Sequence, residues 1–224
     1  IIDGIRSDGN DIEVIVRVSA FDFVPFRADP TRAQPGKLGP GVPDDFSHCL
    51  PYHYGFGLDP ANPLQVDLTE PKQFVKLCAD LGVKLVSLSA GSPYYNPHIQ
   101  RPAAYPPSDG YQPAHDPLVD VERQVQVVRQ LRESAPADLA IAGCAYSYLQ
   151  DFLPHVTQRL VSEGWVDVVG LGRMVLSYPD MLPDAMANGA LTPKRICRTF
   201  SDCTTGPRNG LVSGCYPLDD HYKQ

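Results

Sequence analysis

The sequence predicts an α/β fold made of four consecutive strand–helix units, which is the second half of an eight-unit (β/α)8 TIM barrel. Short β-branched runs alternate with amphipathic helical segments, an order that requires parallel strands joined by right-handed crossovers. Each strand ends on small residues or on a polar side chain, as expected where a ligand lies at the carboxyl ends of strands. Gly143 and Gly172 follow two consecutive strands, an arrangement similar to the phosphate site in the last two units of a barrel. An open doubly wound sheet is the alternative.

The charge balance favours a small molecule as the partner. The 224 residues include 19 Lys and Arg against 26 Asp and Glu, which gives a net charge of −7. A chain of this charge does not attract nucleic acid or an anionic membrane, and no apolar run has the length of a membrane span. Six cysteines without a secretory signal predict reduced thiols and a cytoplasmic location.

The amino-terminal part contains the first predicted strand and a long excursion. Residues 1–6 read as the tail of a helix and the chain begins with Ile, from which we expect a fragment of a longer protein. After a turn cluster at 8–11, the β-branched run 13–19 predicts a strand that carries Arg17 near its end. A guanidinium there needs an acceptor, either in an ion pair with a neighbouring strand or on a ligand. Residues 21–69, rich in Pro, Gly and aromatics, predict an excursion packed over the ligand end.

The next unit contains a second excursion. A helix is predicted over 71–81 and a strand over 83–89, which ends on Ala90-Gly91-Ser92. Residues 92–117 then space aromatic side chains among prolines. Such aromatics form either a rigid wall for a planar ligand or a loop that packs its own side chains.

The last part of the chain predicts two more units and a tail. In chain order the predicted elements are a helix over 118–132, a strand over 139–142, a helix that carries Leu149 to Leu160, a strand over 166–169 and a helix over 179–187. We therefore expect the half-barrel to comprise residues 1–193, followed by a cysteine-containing tail at 194–224.

The strongest single motif follows the last predicted strand, which stops on Gly170-Leu171-Gly172-Arg173. Two glycines let backbone N–H groups approach a ligand closely, and a helix that starts there adds its positive end. Arg173 supplies a two-pronged cation. These features predict a phosphate-binding site, with a tight turn beside a solvated Arg as the structural alternative.

Four motifs together resemble the carboxyl-terminal half of the old yellow enzyme family of FMN-dependent ene reductases. They are the strand 16–20 with Arg17, the Ser89-Ala90-Gly91 strand end, Gly143-Cys144-Ala145 and Gly172-Arg173. The resemblance extends from Ile1 to about Tyr222. Within the family, the chain is most similar to the branch of 2,4-dienoyl-CoA reductases and related NADH:flavin oxidoreductases. It implies FMN as the cofactor and NADH or NADPH as the reductant.

The resemblance also implies a role for each matching residue. Arg17 would lie beside the flavin N1 and C2 carbonyl, where a fixed positive charge stabilises the anionic reduced flavin. Cys144 would act as a backbone donor and not as a nucleophile. His98, in a His-x-x-Arg spacing with Arg101, would help to deliver a proton. The ribityl chain and the phosphate would be held by Ser89, Gly91, Gly143, Cys144, Gly172 and Arg173.

The chain departs from the family in two respects. The first half of the barrel, with the loops that bind the isoalloxazine and the residues that grip the substrate carbonyl, is missing. The tail has Cys197, Cys203 and Cys215, whereas a [4Fe-4S] cluster of the dienoyl-CoA reductase type requires four thiolates at other spacings. We therefore expect no cluster, and we expect either the missing half-barrel or a second copy of the chain as a protein partner.

The leading functional hypothesis is an FMN-dependent oxidoreductase, incomplete in this chain, that reduces an α,β-unsaturated carbonyl or dienoyl compound. One alternative is an inactive phosphate-binding half-barrel that acts through a partner chain. Another is a sugar-phosphate barrel enzyme without flavin, which needs a Schiff-base Lys or a carboxylate base at a strand end. Lys84 lies early in its predicted strand, away from that end.

Overall fold

The computed structural model describes residues 1–7 and 12–223, so the turn predicted at 8–11 lies outside the described residues. The strands are β1 (Val16–Ser19), β2 (Phe26–Ala28), β3 (Gly41–Pro43), β4 (Leu58–Asp59), β5 (Asn62–Val66), β6 (Leu85–Ser89), β7 (Ala140–Gly143) and β8 (Val168–Val169). The α-helices are α1 (Ile2–Ser7), α2 (Thr69–Asp80), α3 (Pro97–Gln100), α4 (Pro117–Ser134), α5 (Leu153–Ser162), α6 (Arg173–Ser177), α7 (Met181–Asn188) and α8 (Asp202–Arg208).

Four of these strands form a parallel sheet in the order β1-β6-β7-β8. Neighbours in space are thus neighbours in the predicted succession of strands, and the α/β class with parallel strands is confirmed. One row of residues crosses the whole sheet, with Arg17 paired to Ser87, Ser87 to Ala142 and Ala142 to Val168. Among the described residues the sheet is open, with β1 and β8 at its edges.

The two faces of this sheet differ in burial because side chains alternate along each strand. Val86, Leu88 and Ile141 are almost fully buried, in one cluster with apolar residues of α2, α4 and α5. The row that contains Arg17 and Val168 lies on the opposite face, where Arg17 is exposed and Val168 is 42% exposed. The described helices therefore build the core on one face and leave the other face uncovered at its two edges, whereas Ala142 in its middle is buried.

The last strand is shorter than predicted, with two residues instead of four. Asp167 lies just before it, and its carboxylate accepts the N–H of Ile141 at 2.8 Å and pairs with Arg132 at 2.7 Å. This side chain replaces a backbone partner at the start of the strand. The helix predicted from Leu149 begins instead at Leu153, because Gln150, with φ 50° and ψ −117°, interrupts the preceding 3-10 turns.

The other predicted elements agree with the structure to within a few residues. The sequence placed a helix over 118–132. The observed α4 begins at Pro117, after Asp116 caps it by accepting the N–H of Leu118 at 2.9 Å, and it ends at Ser134. The first excursion, 21–69, contains two short antiparallel ribbons, β2 with β3 and β4 with β5. No described helix has the length and apolar character needed to cross a membrane.

The tail packs against the second excursion. Arg101 donates to the hydroxyl of Thr204 at 2.8 Å, and Ser201 donates to the carbonyl of Tyr105 at 2.7 Å. Ile196, at the start of the tail, is 1% exposed and belongs to the main core. Residues 194–223 thus help to hold the loop that borders the carboxyl ends of the strands.

Candidate functional site

A cavity of about 300 Å³ lies at the carboxyl ends of the parallel strands. Arg17 on β1 and Ser87 on β6 reach it from the sheet, and the loops after β7 and β8 supply other parts of its wall. The second excursion adds Gln100 and Arg101. Ligands of α/β folds bind at this end of the sheet, because the loops that follow parallel strands converge there.

The charge of this cavity is opposite to that of the chain. Three guanidinium groups line it, from Arg17, Arg101 and Arg173, and no Asp or Glu is among its described lining residues. The chain as a whole has a net charge of −7. A concave site whose charged groups are all positive attracts an anionic ligand. The two parallel N–H groups of a guanidinium match the oxygens of a phosphate or carboxylate group.

Arg173, the first residue of α6, carries an unsatisfied guanidinium. Its Nη2 donates to the carbonyl of Pro102 at 3.0 Å, while Nη1 is buried and has no hydrogen-bond partner among the described residues. Burial lowers the pKa of Arg173 below its ordinary value, with the nearby Arg101 acting in the same direction. A buried charge without a counter-ion is costly. An anion bound in the cavity would remove that cost.

The two glycines of the predicted phosphate motif have different surroundings, since one packs closely against the backbone and the other borders free space. Gly170 donates its N–H to the carbonyl of Gly143 at 2.7 Å, and a Cβ at Gly170 would lie 2.9 Å from that oxygen. A Cβ at Gly172, by contrast, would meet nothing within 4 Å, so a side chain there would extend into free space beside the cavity. Because α6 has only five residues, we attribute the attraction for an anion mainly to the guanidinium groups and not to the helix end.

A strained residue forms another part of the wall. Ala145, between β7 and the following 3-10 turns, has φ 75° in the left-handed region. This conformation costs an L-residue about 1–2 kcal/mol relative to the right-handed region. Strained backbone of this kind is common at binding sites, where it fixes the direction of a loop.

Arg17 is exposed, whereas the sequence predicted a guanidinium that needs an acceptor. The open face of the sheet explains the difference. The predicted alternative, an ion pair with a neighbouring strand, is absent from the described residues. Arg17 is therefore free to contact a ligand in the cavity.

Three other predicted residues have structural contacts and do not line the cavity. Ser89 is buried and its hydroxyl donates to the carbonyl of Val18 at 3.3 Å. Gly91 has φ 67° and forms a turn in which its N–H donates to Phe21. A Cβ at Gly143 would lie 2.1 Å from the hydroxyl oxygen of Tyr146, so this close packing requires glycine.

His98 also lies outside this cavity. It is 6% exposed and its Nε2 is 2.7 Å from the carbonyl oxygen of Tyr111. It borders two neighbouring cavities, of which one is shared with Arg173. The proton-delivery role that the family resemblance implies stays a prediction.

The cysteines near the cavity are present as thiols. Burial raises the pKa of Cys144, although Arg17 and Arg173 act in the opposite direction, so the thiol is protonated at neutral pH. Cys197, Cys203 and Cys215 are not joined by disulfides. Within residues 1–7 and 12–223, no group of three or more His, Cys, Asp or Glu is arranged to hold a metal ion.

Several residues of the cavity were not predicted from the sequence as parts of the site. Ser87 shares a face with Arg17, and strand alternation combined with the correct register would have found it. Gln100 ends the short helix α3, and Ser147 lies in the 3-10 turns after β7. No periodic signal marks these positions, because their location depends on the folding of the second excursion and of the turn after β7.

Comparison with known proteins adds no assignment. No family model and no curated protein matches this chain. The functional interpretation therefore depends on the residues of the cavity and on the resemblance of the four strand-end motifs.

Proposed function

We propose that this chain binds the phosphate end of FMN and is part of an ene-reductase-type flavin oxidoreductase. One observation carries the proposal: three arginines and no acidic residue line a cavity at the strand ends, so the charge of Arg173 has no carboxylate partner on the cavity wall. A phosphate dianion is the anion that a two-pronged guanidinium beside a glycine loop accommodates well.

The residues present fit such a ligand. Arg173 would pair with the phosphate, and the free space beside Gly172 admits an oxygen close to the backbone. Arg17, on the exposed row of the sheet, would supply a fixed positive charge to the ring system. When bound, FMN supplies hydride transfer from NADH or NADPH to the β-carbon of an α,β-unsaturated carbonyl or dienoyl compound.

The parallel sheet is compatible with half of a barrel, which is the parent fold that we propose. In a doubly wound sheet the strand order reverses and helices cover both faces. Here the order β1-β6-β7-β8 does not reverse, and the core formed with α2, α4 and α5 lies on one face. In the proposed barrel, the face on which Val168 is 42% exposed would form part of the interior, which four further strands would close.

The proton donor is either His98 or a residue of the missing half. In the present arrangement a backbone carbonyl accepts the Nε2–H of His98, so a catalytic role for this residue requires a change of its hydrogen bonding. The small-molecule substrate is an unsaturated carbonyl compound, and the uncovered face of the sheet provides the contact for the missing half-barrel or for a second copy of the chain.

The same uncovered face favours a second candidate function, that of an inactive phosphate-binding half-barrel which acts through a partner. A sugar-phosphate enzyme with a catalytic lysine has less support. Lys84 precedes β6 and pairs with Asp138 at 3.2 Å, where both side chains are more than half exposed.

Retention of FMN through gel filtration tests the proposal. We expect the wild-type chain to keep flavin absorption at about one equivalent and the Arg173→Gln variant to lose it. Arg159→Gln, on the exposed surface of α5, is the matched control and should retain the flavin. A wild-type chain that elutes without flavin, or an Arg173→Gln variant that retains as much as the control, would contradict the proposal. Enone reduction by a flavin-loaded chain then separates the enzyme from the inactive alternative.

A further inference from the structure

A second and much smaller cavity lies between the second excursion and the tail. Its volume is about 10 Å³, and its polar lining comes from His98, Arg101, Arg173, Ser201 and Thr204. A volume of this size admits about one water molecule and excludes a phosphate group.

His98 presents a hydrogen-bond acceptor without a donor. Its Nε2 contacts the carbonyl oxygen of Tyr111 at 2.7 Å. A carbonyl oxygen only accepts, so Nε2 carries the proton. Burial lowers the pKa of His98, which keeps the ring neutral at pH 7 and leaves a lone pair on Nδ1. That Nδ1 is buried and has no partner among the described residues.

Arg173 presents the opposite group, a donor without an acceptor. The Nη1 of a guanidinium carries two N–H groups, and here it is buried and unpartnered, while Nη2 is held by Pro102. Among the buried side-chain nitrogen and oxygen atoms of the described residues, these two nitrogens lack a hydrogen-bond partner. Both residues line the same small cavity.

The chemistry of these two groups selects the occupant. A molecule that bridges the two groups would accept from Nη1 and donate to Nδ1. Chloride cannot donate and a metal cation would meet two guanidinium groups, Arg101 and Arg173, on the cavity wall. Water does both and is the smallest molecule that can.

The hydroxyl groups on the wall complete the coordination of a water molecule. Ser201 donates its proton to the carbonyl of Tyr105 and keeps lone pairs as acceptors. Thr204 accepts from Arg101 and keeps its own O–H as a donor. Buried waters commonly make about three hydrogen bonds, and this cavity offers two donors and two acceptors.

We propose that this cavity is a water-binding site in which one buried water accepts a hydrogen bond from Arg173 and donates one to His98. The water joins the start of α6 to the second excursion and to α8 of the tail. It thereby connects the guanidinium of the anion-binding cavity to the imidazole of His98. The site belongs to the ligand-free chain, so it does not depend on FMN as the ligand.

Two measurements on the wild-type chain test this site. In a high-resolution crystal structure we expect a solvent peak about 2.7–3.2 Å from both Nη1 of Arg173 and Nδ1 of His98. In the ¹⁵N spectrum of the imidazole we expect the Nε2–H tautomer, with the Nδ1 resonance at the position of a hydrogen-bonded acceptor. An empty cavity, the reverse tautomer, or an Nδ1 resonance typical of a free lone pair would each overturn the proposal.

A substitution that fills the cavity provides an independent check. Ala103 is 2% exposed and lines the cavity, so Ala103→Val places two methyl groups where the water would lie. We expect the Nδ1 resonance of His98 to shift to the unbonded position in this variant. The control is Ala90→Val, at an alanine that is 1% exposed and outside the cavity lining, and the resonance should not move. An unchanged Nδ1 resonance in a folded Ala103→Val variant would contradict the proposal, and the two wild-type measurements decide it even where that variant does not fold.

Discussion

Replacing Arg173 by methionine should stabilise the ligand-free chain while it removes the response to anions. The guanidinium makes one hydrogen bond to the described residues, with the carbonyl of Pro102, and no Asp or Glu lines either of the two cavities that it borders. Methionine keeps an unbranched stem of similar length and removes the charge. The exchange therefore separates the cost of the buried charge from the packing of the side chain.

The expected gain is the difference between two quantities. Loss of the charge-assisted hydrogen bond to Pro102 costs about 1.5–3 kcal/mol, whereas removal of an uncompensated buried charge relieves a penalty of several kcal/mol. We expect the free energy of unfolding of Arg173→Met to exceed that of the wild type by about 1–3 kcal/mol. Inorganic phosphate should raise the stability of the wild type and leave that of the variant unchanged.

Urea denaturation followed by far-ultraviolet circular dichroism, with and without phosphate, measures both effects. The matched control is Arg129→Met on α4, which removes a stacking contact with Trp165 and an exposed pair with Glu133. It should lose no more than about 1 kcal/mol and keep the phosphate response. If Arg173→Met is less stable than this control, or still gains stability from phosphate, then Arg173 is not a destabilising anion-binding residue.

Three further predictions concern the cavity wall and the thiols. Ala145→Gly should raise the free energy of unfolding by about 0.5–1 kcal/mol, because relief of the left-handed conformation exceeds the entropic cost of glycine. The control Ala142→Gly, inside β7, should lower it. If both variants lose the same stability, Ala145 is not strained. Gly170→Ala should lower the free energy of unfolding by about 1–3 kcal/mol, because its Cβ would lie too close to the carbonyl of Gly143. Gly172→Ala should change it by less than about 0.5 kcal/mol. Equal effects of the two substitutions in a thermal melt would refute the packing argument. Burial raises the folded-state pKa of four thiols above the ordinary value of 9.0, those of Cys78, Cys144, Cys197 and Cys215. Because the same thiols ionise first in the unfolded chain, the free energy of unfolding should fall as the pH rises above about 9. A denaturation midpoint that stays constant between pH 8 and pH 10 would contradict this.

The parallel sheet was predictable because its signals are local. The alternation in β6, with Val86 and Leu88 buried and Ser87 between them, lies within one short run of the sequence. The order of the four strands then follows because consecutive strand–helix units place each strand beside the previous one. The glycine motif at 170–173 was also found, because a strand end followed by Gly-x-Gly-Arg has a direct chemical meaning.

The remaining features depend on contacts between distant parts of the chain. Arg101 lines the cavity because the second excursion folds back and is held by Thr204 of the tail, more than 100 positions later. Ala145 adopts φ 75° although alanine gives no signal for that conformation. The exposure of Arg17 follows from the uncovered face of the sheet, which a strand pattern alone does not reveal.

The affinity for FMN compared with that for riboflavin, measured by calorimetry, is the most direct test of the central claim. The two ligands share the ring and the ribityl chain and differ only in the phosphate. We predict that the wild-type chain binds FMN at least about 10-fold more tightly, as expected for a charge-assisted contact of about 1.5–3 kcal/mol, and that this preference disappears in Arg173→Gln. Equal affinities in the wild type, or a preference that survives the substitution, would show that the arginine-lined cavity is not a phosphate site.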